Sequence, residues 1–465
     1  MMEENSEKVP DQSQPAAQGE QLEDIVAVGD PDQVNRFLQT LDAGESARML
    51  AELSDDEQSV LLKMLPNADA AALIEQIPEA QAAQMISNLS VGEAAGIVEE
   101  MHSDEQADVL GRLKPREAEA ILTAMDPAEA VAARRLVDYP TDTAGGLMIT
   151  EYLCFRRGLL VDDVLNDLRA NAEKYATYDV QYAYVMSEEG RLVGVLRLRE
   201  LLLSSRQTPI ASVMICEPLW VYATTPLTDL GHFFDRHPLF GAPVTDEVGR
   251  MLGVVRRADV EEAAEERANR TFLKFMGILG GEELRSLPLA TRCGRRLSWL
   301  SINILLNILA AGVIALNQDT LAQVIVLAVF LPIISDMSGC SGNQAVAVSM
   351  RELALGLARP RDLCRVLRKE AALGLLNGVA LGILLGVVGL IWQGSPVLGL
   401  VVGGALAINT LFACCFGGTI PLLLRGLKLD PALASGPVLT TLTDMCGFFL
   451  VLTFAKWMLP YLVAA

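Results

Sequence analysis

The sequence predicts a multi-domain protein with an all-α superhelical N-terminal domain, two tandem α/β units, and an all-α transmembrane bundle of five helices. Three observations predict this fold class. An apolar position recurs every 12 residues over 41–125, a strand–helix–hairpin pattern occurs twice over 138–262, and long uncharged runs fill 293–465. The 465 residues suffice for about three domains at roughly 150 residues each.

Charge divides the chain into an acidic half and an apolar half. The sequence is 51% hydrophobic, yet its 58 acidic and 37 basic side chains give a net charge of −21. Residues 293–465 hold 11 basic and 7 acidic side chains, which leaves 26 basic and 51 acidic side chains for 1–292. Phosphate binding needs clustered positive charge, so the acidic half argues against a nucleic-acid partner and leaves cations, membranes and proteins.

Helical repeats are predicted near the N-terminus. Residues 1–20 are polar, rich in Gln, Glu, Ser and Pro, and predict a disordered segment. Over 21–137, apolar residues spaced 12 apart are followed by helix-capping or helix-stopping residues, as in Leu53-Ser54 and Leu65-Pro66. One short helix per repeat, packed on its neighbours, is typical of an α-solenoid.

A second repeat follows the solenoid. The segment 187–195 is echoed 59 residues later by 246–254, and Met148–Glu151 is echoed by Met214–Glu217. Each copy predicts a strand, a helix, a hairpin and a second helix. We place the two α/β units at 138–206 and 207–262, followed by a linking helix over 263–292.

The apolar half predicts five membrane spans. The first span has 22 uncharged residues between Arg296 and Asp319, and the second covers 320–350. The 54 uncharged residues of 371–424 form two spans, separated at Gln393–Pro396. The fifth span covers about 434–460.

Basic residues in the short loops predict the orientation of these spans. They precede the first span and follow the second and fourth, whereas the other two loops have none. Because such residues favour the cytoplasmic side, the N-terminal half is predicted inside and the C-terminus outside, in a bacterial inner or plasma membrane. The chain opens without a charged n-region and an apolar h-region, so we expect no cleavable signal peptide.

The sequence has few of the residues and motifs that catalysis or zinc binding would require. The eight cysteines lack C-x-x-C spacing and are predicted to be reduced and mainly packed, and three scattered histidines argue against a His-based zinc site. Without a Walker motif, a nucleophile elbow or H-E-x-x-H, the sequence favours a protein that is not an enzyme.

Long motifs in the membrane half carry a family resemblance. They are Pro332–Gln344 in the second span and Asp430–Pro437, which continues through Thr440, Thr441 and Asp444 in the fifth. The α/β units look like a tandem CBS-domain pair, and the whole arrangement resembles the MgtE family of magnesium transporters. This resemblance implies a homodimeric channel or transporter that imports Mg²⁺ down its electrochemical gradient between the second and fifth spans.

The resemblance places Asp444 in the ion path as a Mg²⁺ ligand. The free energy of membrane insertion supports this placement. An aspartate at the centre of a membrane helix costs about 2.5–3.5 kcal/mol, so Asp444 should face water or protein. Thr440, Thr441 and Pro437 lie seven or fewer positions earlier, on the face of Asp444. Together they offer hard oxygens suited to Mg²⁺ or Ca²⁺. A protonated Asp444 bonded to another helix is the alternative.

The second-span motif adds further candidates beside the pore. The resemblance places Gly339, Gly342, Asn343 and Gln344 there, although close helix packing alone could explain them. Asp336 is either a second ion-facing carboxylate or a buried structural group. Cys340 stands where relatives often have Asn, which leaves the fine selectivity open.

Acidic side chains are candidate ligands of a regulatory Mg²⁺. In the family, cytosolic Mg²⁺ bridges carboxylates of the solenoid, CBS pair and linking helix, and closes the pore. A crowd of carboxylates repels itself until a cation neutralises it, although a solvated acidic face is the alternative. The candidate ligands are Asp259, Glu262, Glu266, Asp104 and Asp108.

Several departures from the family pattern weaken parts of this prediction. Ala258 and Pro238 replace residues that are often acidic in relatives, which favours weaker gating. Arg197 and Arg256 stand where CBS units use Ser or Thr to hold a ribose, which makes nucleotide binding doubtful. Two other functions stay open: a carrier for another divalent ion such as Co²⁺ or Mn²⁺, and a membrane-bound CBS sensor that transports nothing.

Overall fold

The computed structural model describes residues 22, 25, 30–38, 40–41, 43–176, 178, 181–278 and 289–463. The predicted disordered segment 1–20 lies outside the described residues. The chain divides into two compact units, one up to Arg267 and one from Ala268.

A stack of short helices opens the first unit. From Ala43 to Pro127 the helix starts are spaced 12 residues apart, as the apolar repeat predicts. Most of these helices end where the repeat places small polar residues or proline, and a capping box between Ser54 and Glu57 starts one of them. The described helices are α1 (Pro31–Leu38), α2 (Ala43–Glu52), α3 (Asp55–Met64), α4 (Asn67–Glu75), α5 (Glu79–Ser87), α6 (Val91–Glu100), α7 (Ser103–Arg112), α8 (Pro115–Ala124) and α9 (Pro127–Val137).

The repeated apolar positions form the core of this stack. Six of them are at most 8% exposed, since each ends a helix and turns inward against the next one. They are Leu53, Leu65, Ile77, Met101, Leu113 and Met125.

The two α/β repeats form two four-stranded sheets. The first repeat contributes β1 (Met148–Ile149), β2 (Leu153–Arg156), α10 (Val161–Ala170), α11 (Ala172–Tyr175), β3 (Tyr182–Met186), β4 (Leu192–Arg197) and α12 (Leu198–Leu203). The second contributes α13 (Ile210–Val213), β5 (Ile215–Cys216), β6 (Val221–Tyr222), α14 (Leu227–Arg236), β7 (Gly241–Thr245) and β8 (Met251–Arg256).

The repeats exchange their first strands. One sheet has the order β2-β3-β4-β5 and the other β1-β8-β7-β6, so β1 and β5 each complete the sheet of the other repeat. Antiparallel pairing joins Ile149 to Val254 and Ile215 to Val195. The echo of 148–151 at 214–217 is therefore the signature of the exchanged strands.

A long helix, α15 (Arg257–Phe275), follows β8 directly. The linking helix predicted over 263–292 corresponds to its second half, since a turn at Met276–Gly277 follows and 279–288 lie outside the described residues. The predicted final part, 289–292, instead begins the next helix.

Long helices form the second unit. They are α16 (Leu289–Ala315), α18 (Leu327–Ala354), α19 (Leu363–Gln393), α20 (Pro396–Gly426) and α21 (Pro431–Trp457), with short helices α17 (Gln318–Gln323) and α22 (Leu459–Val463) and a 3₁₀ turn at Pro360–Asp362. Four of the five long helices are long and apolar enough to cross a membrane. The exception is α18, the predicted second span, because its motif adds serine, asparagine, glutamine and aspartate to an otherwise apolar helix.

Close backbone contact holds α19 against α20. A Cβ atom added at Gly382 would lie 2.6 Å from the carbonyl oxygen of Gly403, so only glycine permits this approach. The break between the two helices falls at Gly394, whose positive φ of 68° ends α19 within the predicted Gln393–Pro396 turn.

The stack of short helices, the two four-stranded sheets and the bundle of long helices together confirm the predicted fold class.

Candidate ion pathway and acidic interface

The carboxylate of Asp444 lies inside the membrane unit, at the contact between α18 and α21. Asp444 is 8% exposed, and the hydroxyl of Ser335 on α18 donates a hydrogen bond to its Oδ1. This hydroxyl occupies one acceptor position of the carboxylate and leaves its other lone pairs for further partners. The second and fifth predicted spans therefore meet at the residue predicted to bind the ion.

A buried amide joins the same two helices. Asn409 on α20 is completely buried, and its Nδ2 donates to Ser338 Oγ at 2.8 Å and to the carbonyl oxygen of Thr443 at 3.0 Å. Sequence reasoning assigned no role to Asn409 or to Ser335. Asn409 is the one Asn or Gln among the residues of α20, and this was the available signal.

The other candidates on α21 differ in exposure. Thr440 is exposed, whereas Pro437 and Thr441 are half-buried. The hydroxyl of Thr441 donates to the carbonyl oxygen of Pro437 at 2.8 Å, which leaves its lone pairs as possible ligands. These residues thus form a strip along the helix from the surface of the single chain towards Asp444.

The candidates on α18 also divide by position. Gly342 is buried where α18 crosses α20, and an added Cβ would lie 3.1 Å from the carbonyl oxygen of Ala413, so close packing explains this glycine. Gly339 borders open space, which packing does not explain. Asn343 is half-buried with no hydrogen-bond partner for its Oδ1 among the described residues, and Gln344 is exposed.

Asp336 does not have the buried position that one sequence interpretation gave it. The residue is exposed on the surface of the single chain, because it lies next to Ser335 and is therefore rotated about 100° away from the side that meets Asp444. A buried structural role is therefore wrong for the single chain, and the ion-facing alternative stays a prediction.

The cysteines carry no disulfide, and all eight are free thiols in the described chain. Cys414 is buried beside Gly374 in the α19–α20 contact, but five of the eight cysteines are exposed, so the predicted mainly packing role is wrong for the single chain. Cys340, in the second-span motif, is exposed, so packing within the single chain does not explain it.

In the first unit, Arg256 connects the helical stack to the α/β region. Its Nε lies 2.7 Å from Asp259 Oδ2 and its Nη2 lies 3.4 Å from Asp104 Oδ2. The three side chains are between 13% and 26% exposed, so they form a largely buried set. A guanidinium thus lies between two of the predicted regulatory carboxylates.

A second set of hydrogen bonds reinforces this connection. The Ser103 hydroxyl, at the start of α7, donates to Glu151 at 2.7 Å and accepts from the backbone N–H of Thr150 at 2.8 Å. Glu151 also accepts from the backbone N–H of Ser103. The first turn of α7 is therefore fixed to the segment that follows β1.

Three carboxyl groups of α7 have raised pKa values. Burial and the charge of Asp259 raise the pKa of Asp104 to about 6, although Arg256 opposes this shift. Burial and neighbouring carboxylates raise the pKa of Glu105 to about 8 and that of Asp108 to about 7. Their negative charge is thus unfavourable in the fold, and a bound proton or cation would relieve it.

The predicted regulatory ligands do not form one compact site. Glu266 is near enough to Asp108 for its charge to raise the pKa of that residue, and Asp259 acts on Asp104 in the same way. Within the ranges that the structure describes, no group of three or more His, Cys, Asp or Glu side chains is arranged to hold a metal ion.

A cavity of about 240 Å³ lies between the two α/β repeats. Its wall combines aromatic rings with basic and acidic groups, and Tyr152 and Tyr184 meet edge to face across 6.2 Å. Arg256 borders it while bonded to Asp104 and Asp259.

In the second unit, an ion pair joins the end of α15 to the start of α21. Lys274 Nζ lies 3.0 Å from Asp430 Oδ2, and Asp430 also caps α21 by accepting from the backbone N–H of Ala432. Both charged side chains are about 40% exposed, so the pair contributes at most about 1 kcal/mol.

The helical stack, the paired α/β repeats and the apolar helices around a buried aspartate define a multi-pass membrane protein with a large extramembrane unit. Models of known families match in the same order: an MgtE intracellular N domain at 41–142, a CBS domain at 210–266, and a divalent cation transporter at 331–454.

Curated relatives extend this match over most of the chain. The magnesium transporter MgtE of Thermus thermophilus is 35% identical over 331 residues, which are 70% of this chain and 72% of the relative. The magnesium transporter MgtE of Bacillus subtilis is 29% identical over 69% of this chain and 70% of the relative. The chain belongs to the MgtE family of magnesium transporters.

A solved structure supports the fold of the extramembrane part. The crystal structure of the soluble part of a magnesium transporter covers 55% of this chain and all of its own, with a TM-score of 0.50 and 22% identity. At that identity the likeness concerns the fold alone.

Proposed function

We propose that the protein imports Mg²⁺ across a cell membrane, down its electrochemical gradient. The observation that carries this proposal is the buried Asp444, which faces Ser335 across the α18–α21 contact in a chain of the MgtE family. A carboxylate inside a membrane unit is unfavourable unless it serves a cation or a partner. One hydroxyl satisfies only part of its acceptor capacity, which leaves oxygen lone pairs for an ion.

The proposed path uses hard oxygens throughout. Asp444 would be the principal site, and Thr440, Thr441 and the region of Pro437 would offer hydroxyl and carbonyl oxygens along α21. Gly339, Asn343, Gln344 and Asp336 would face the ion from α18, whereas Gly342 supports helix packing. Because Mg²⁺ dehydrates reluctantly, we expect it to pass with several waters attached.

A homodimer is the proposed assembly. Asp336, Gln344 and Thr440 are polar and exposed on the surface of a single chain, within helices of the membrane unit. Polar side chains facing lipid are unfavourable, so a second copy or a water-filled path between two copies would cover them. This arrangement would also place Asp336 of each chain at the pore.

Cytosolic Mg²⁺ is the proposed regulator, acting on the acidic side chains around α7. Asp108 and Glu266 form one candidate pair of ligands, and Glu262 lies one helical turn before Glu266. Asp104 and Asp259 share Arg256. Since the guanidinium already neutralises part of this charge, we expect weaker Mg²⁺ gating than a purely acidic interface would give. The loss of acidic residues at Ala258 and Pro238 also favours weaker Mg²⁺ gating.

The proposed orientation follows the basic loops. The N-terminal half would lie in the cytoplasm of a bacterial cell and the C-terminus outside the inner or plasma membrane. We propose that no nucleotide is required, because Arg256 at the CBS cavity is bonded to two carboxylates.

Ion uptake into liposomes that contain the purified protein tests the proposed function. Mg²⁺ uptake that exceeds the uptake of Co²⁺ and Mn²⁺ would support it. Preferential uptake of Co²⁺ or Mn²⁺ would favour the other divalent carrier. If no divalent ion entered, although the protein was inserted and Mg²⁺ changed its protease sensitivity, a non-transporting sensor would be favoured.

A further inference from the structure

The amide nitrogen of Asn409 connects three helices of the membrane unit, whereas its Oδ1 has no hydrogen-bond partner among the described residues. Its single nitrogen bonds to α18 through Ser338 and to α21 through the backbone of Thr443, and all three residues are completely buried. Asn409 thus joins, from a third helix, the two helices that meet at Asp444.

The position of this bridge relates it to the carboxylate. Ser335 lies three residues before Ser338 on α18, and Asp444 directly follows Thr443 on α21. Because a helix rises about 1.5 Å per residue, the bridge fixes the relative height of the two helices within about one turn of the Ser335–Asp444 hydrogen bond. A slip of α18 against α21 would break both connections.

The surroundings of the amide are fitted to this role. An added Cβ at Gly447, one turn after Thr443, would lie 2.7 Å from Asn409 Nδ2, so the absence of a side chain there gives the amide its space. The Ser338 hydroxyl donates to the Ile334 carbonyl oxygen at 2.7 Å, which orients its lone pairs to accept from Asn409.

We propose that Asn409 is a positioning residue for ion binding: it fixes α18 against α21 so that the Asp444 carboxylate is held, through Ser335, in the geometry that binds the cation. This inference rests on the proposed function. It assigns Asn409 no direct contact with the ion.

Mg²⁺ uptake at varied external Mg²⁺ concentration tests this role in Asn409→Leu, a variant of similar volume that lacks the amide. The expected result is a half-saturating Mg²⁺ concentration raised on the order of tenfold, since the variant loses two neutral hydrogen bonds that hold the site in position, and their combined effect is of that size. The matched control is Thr410→Val. Thr410 is equally buried on the same helix, and its hydroxyl has no hydrogen-bond partner among the described residues.

Ser338→Ala provides a smaller change that removes only the acceptor on α18. If Asn409→Leu failed to fold, a shift of the half-saturating concentration in Ser338→Ala would still support the proposal, and an unchanged value would overturn it. Equal values for Asn409→Leu and Thr410→Val would also overturn it, as would a loss of maximal uptake with an unchanged half-saturating concentration.

The failure of this inference can be told from failure of the proposed function. If the parent protein carries Mg²⁺ and Asp444→Asn abolishes uptake while Asn409→Leu is unchanged, only the positioning role fails. If the parent protein carries no divalent ion, or Asp444→Asn transports normally, the proposed ion site itself is wrong.

Discussion

The Nε atom of Arg256 lies 2.7 Å from Oδ2 of Asp259. The same guanidinium reaches Asp104 on the helical stack, so a covalently attached cation lies where the family resemblance suggested a divalent ion. Under the proposed regulation, we expect this contact to make the connection between the stack and the α/β region partly independent of Mg²⁺.

Replacement of Arg256 should make that connection depend on Mg²⁺. In Arg256→Ser, Asp104 and Asp259 lose their shared counter-charge, which should cost about 2 kcal/mol of local stability because the pair is largely buried. Hydrogen exchange of the full-length protein should show faster exchange in α7 without Mg²⁺ and recovery in millimolar Mg²⁺. Arg199→Ser, at an exposed ion pair, is the control. Unchanged exchange in Arg256→Ser would contradict this account.

The acidic side chains of α7 predict a pH dependence of stability. Their folded-state pKa values are raised, to about 8 for Glu105 and about 7 for Asp108, so between the unfolded and folded values the folded protein binds more protons. The stabilising contribution of these groups should therefore be complete below their ordinary pKa values of 4.5 and 3.8, fall as pH rises, and be lost above about 8.

Hydrogen exchange of α7 at several pH values, corrected for intrinsic exchange rates, measures this dependence. Glu105→Gln should flatten the profile, whereas Glu129→Gln, at an exposed position on α9, should leave it unchanged. Added Mg²⁺ should reduce the slope. A stability of α7 that rises with pH would contradict this prediction.

The Ser335 hydroxyl should contribute to ion binding. In Ser335→Ala, Asp444 loses its only hydrogen-bond donor among the described residues, which should raise the half-saturating Mg²⁺ concentration about tenfold. Ser341→Ala is the matched control on the same helix, because within the described part of the chain the Ser341 hydroxyl donates only to the Met337 carbonyl oxygen of its own helix. Identical transport curves for the two variants would argue against a role for Ser335.

Close packing of α19 and α20 predicts a strong requirement for glycine at position 382. Gly382→Ala would place a methyl group 2.6 Å from the Gly403 carbonyl oxygen, so the helices must separate, at a cost of about 1–3 kcal/mol. Thermal unfolding in detergent measures the loss. Gly312→Ala on α16, where the added atom meets nothing within 4 Å, should not destabilise the protein, because alanine also favours the helix. Equal melting temperatures for Gly382→Ala and Gly312→Ala would mean that α19 and α20 pack less closely at Gly382 than the structure shows.

The local pattern of the sequence predicts much of this architecture. The 12-residue period of apolar positions indicates the helix starts of the solenoid, because each apolar residue turns into the stack at a helix end. The break between two spans at Gln393–Pro396 is predicted by glycine, which readily adopts the positive φ that ends a helix, and by proline, which favours the first turn of the next one. These features depend on neighbouring residues, which a single sequence displays.

Features that depend on contacts between distant segments could not be predicted in the same way. The exchange of β1 and β5 produces the same local pattern as two separate units would. Arg256 indicates a departure from a CBS pattern, but its position between Asp104 and Asp259 follows only from the packing of α7 on the second repeat. Asn409 is visible as a lone amide, whereas its two partners lie 71 and 34 residues away.

Mg²⁺ uptake by Asp444→Asn in liposomes tests the central claim most directly, with Asp319→Asn as the matched control at an exposed position outside the site. The account predicts that Asp444→Asn reduces uptake at least about tenfold, because the neutral amide loses the charge attraction for the cation while keeping the shape of the side chain. Asp319→Asn should transport like the parent protein. Undiminished uptake in a folded Asp444→Asn protein would contradict the assignment of Asp444 as the ion site.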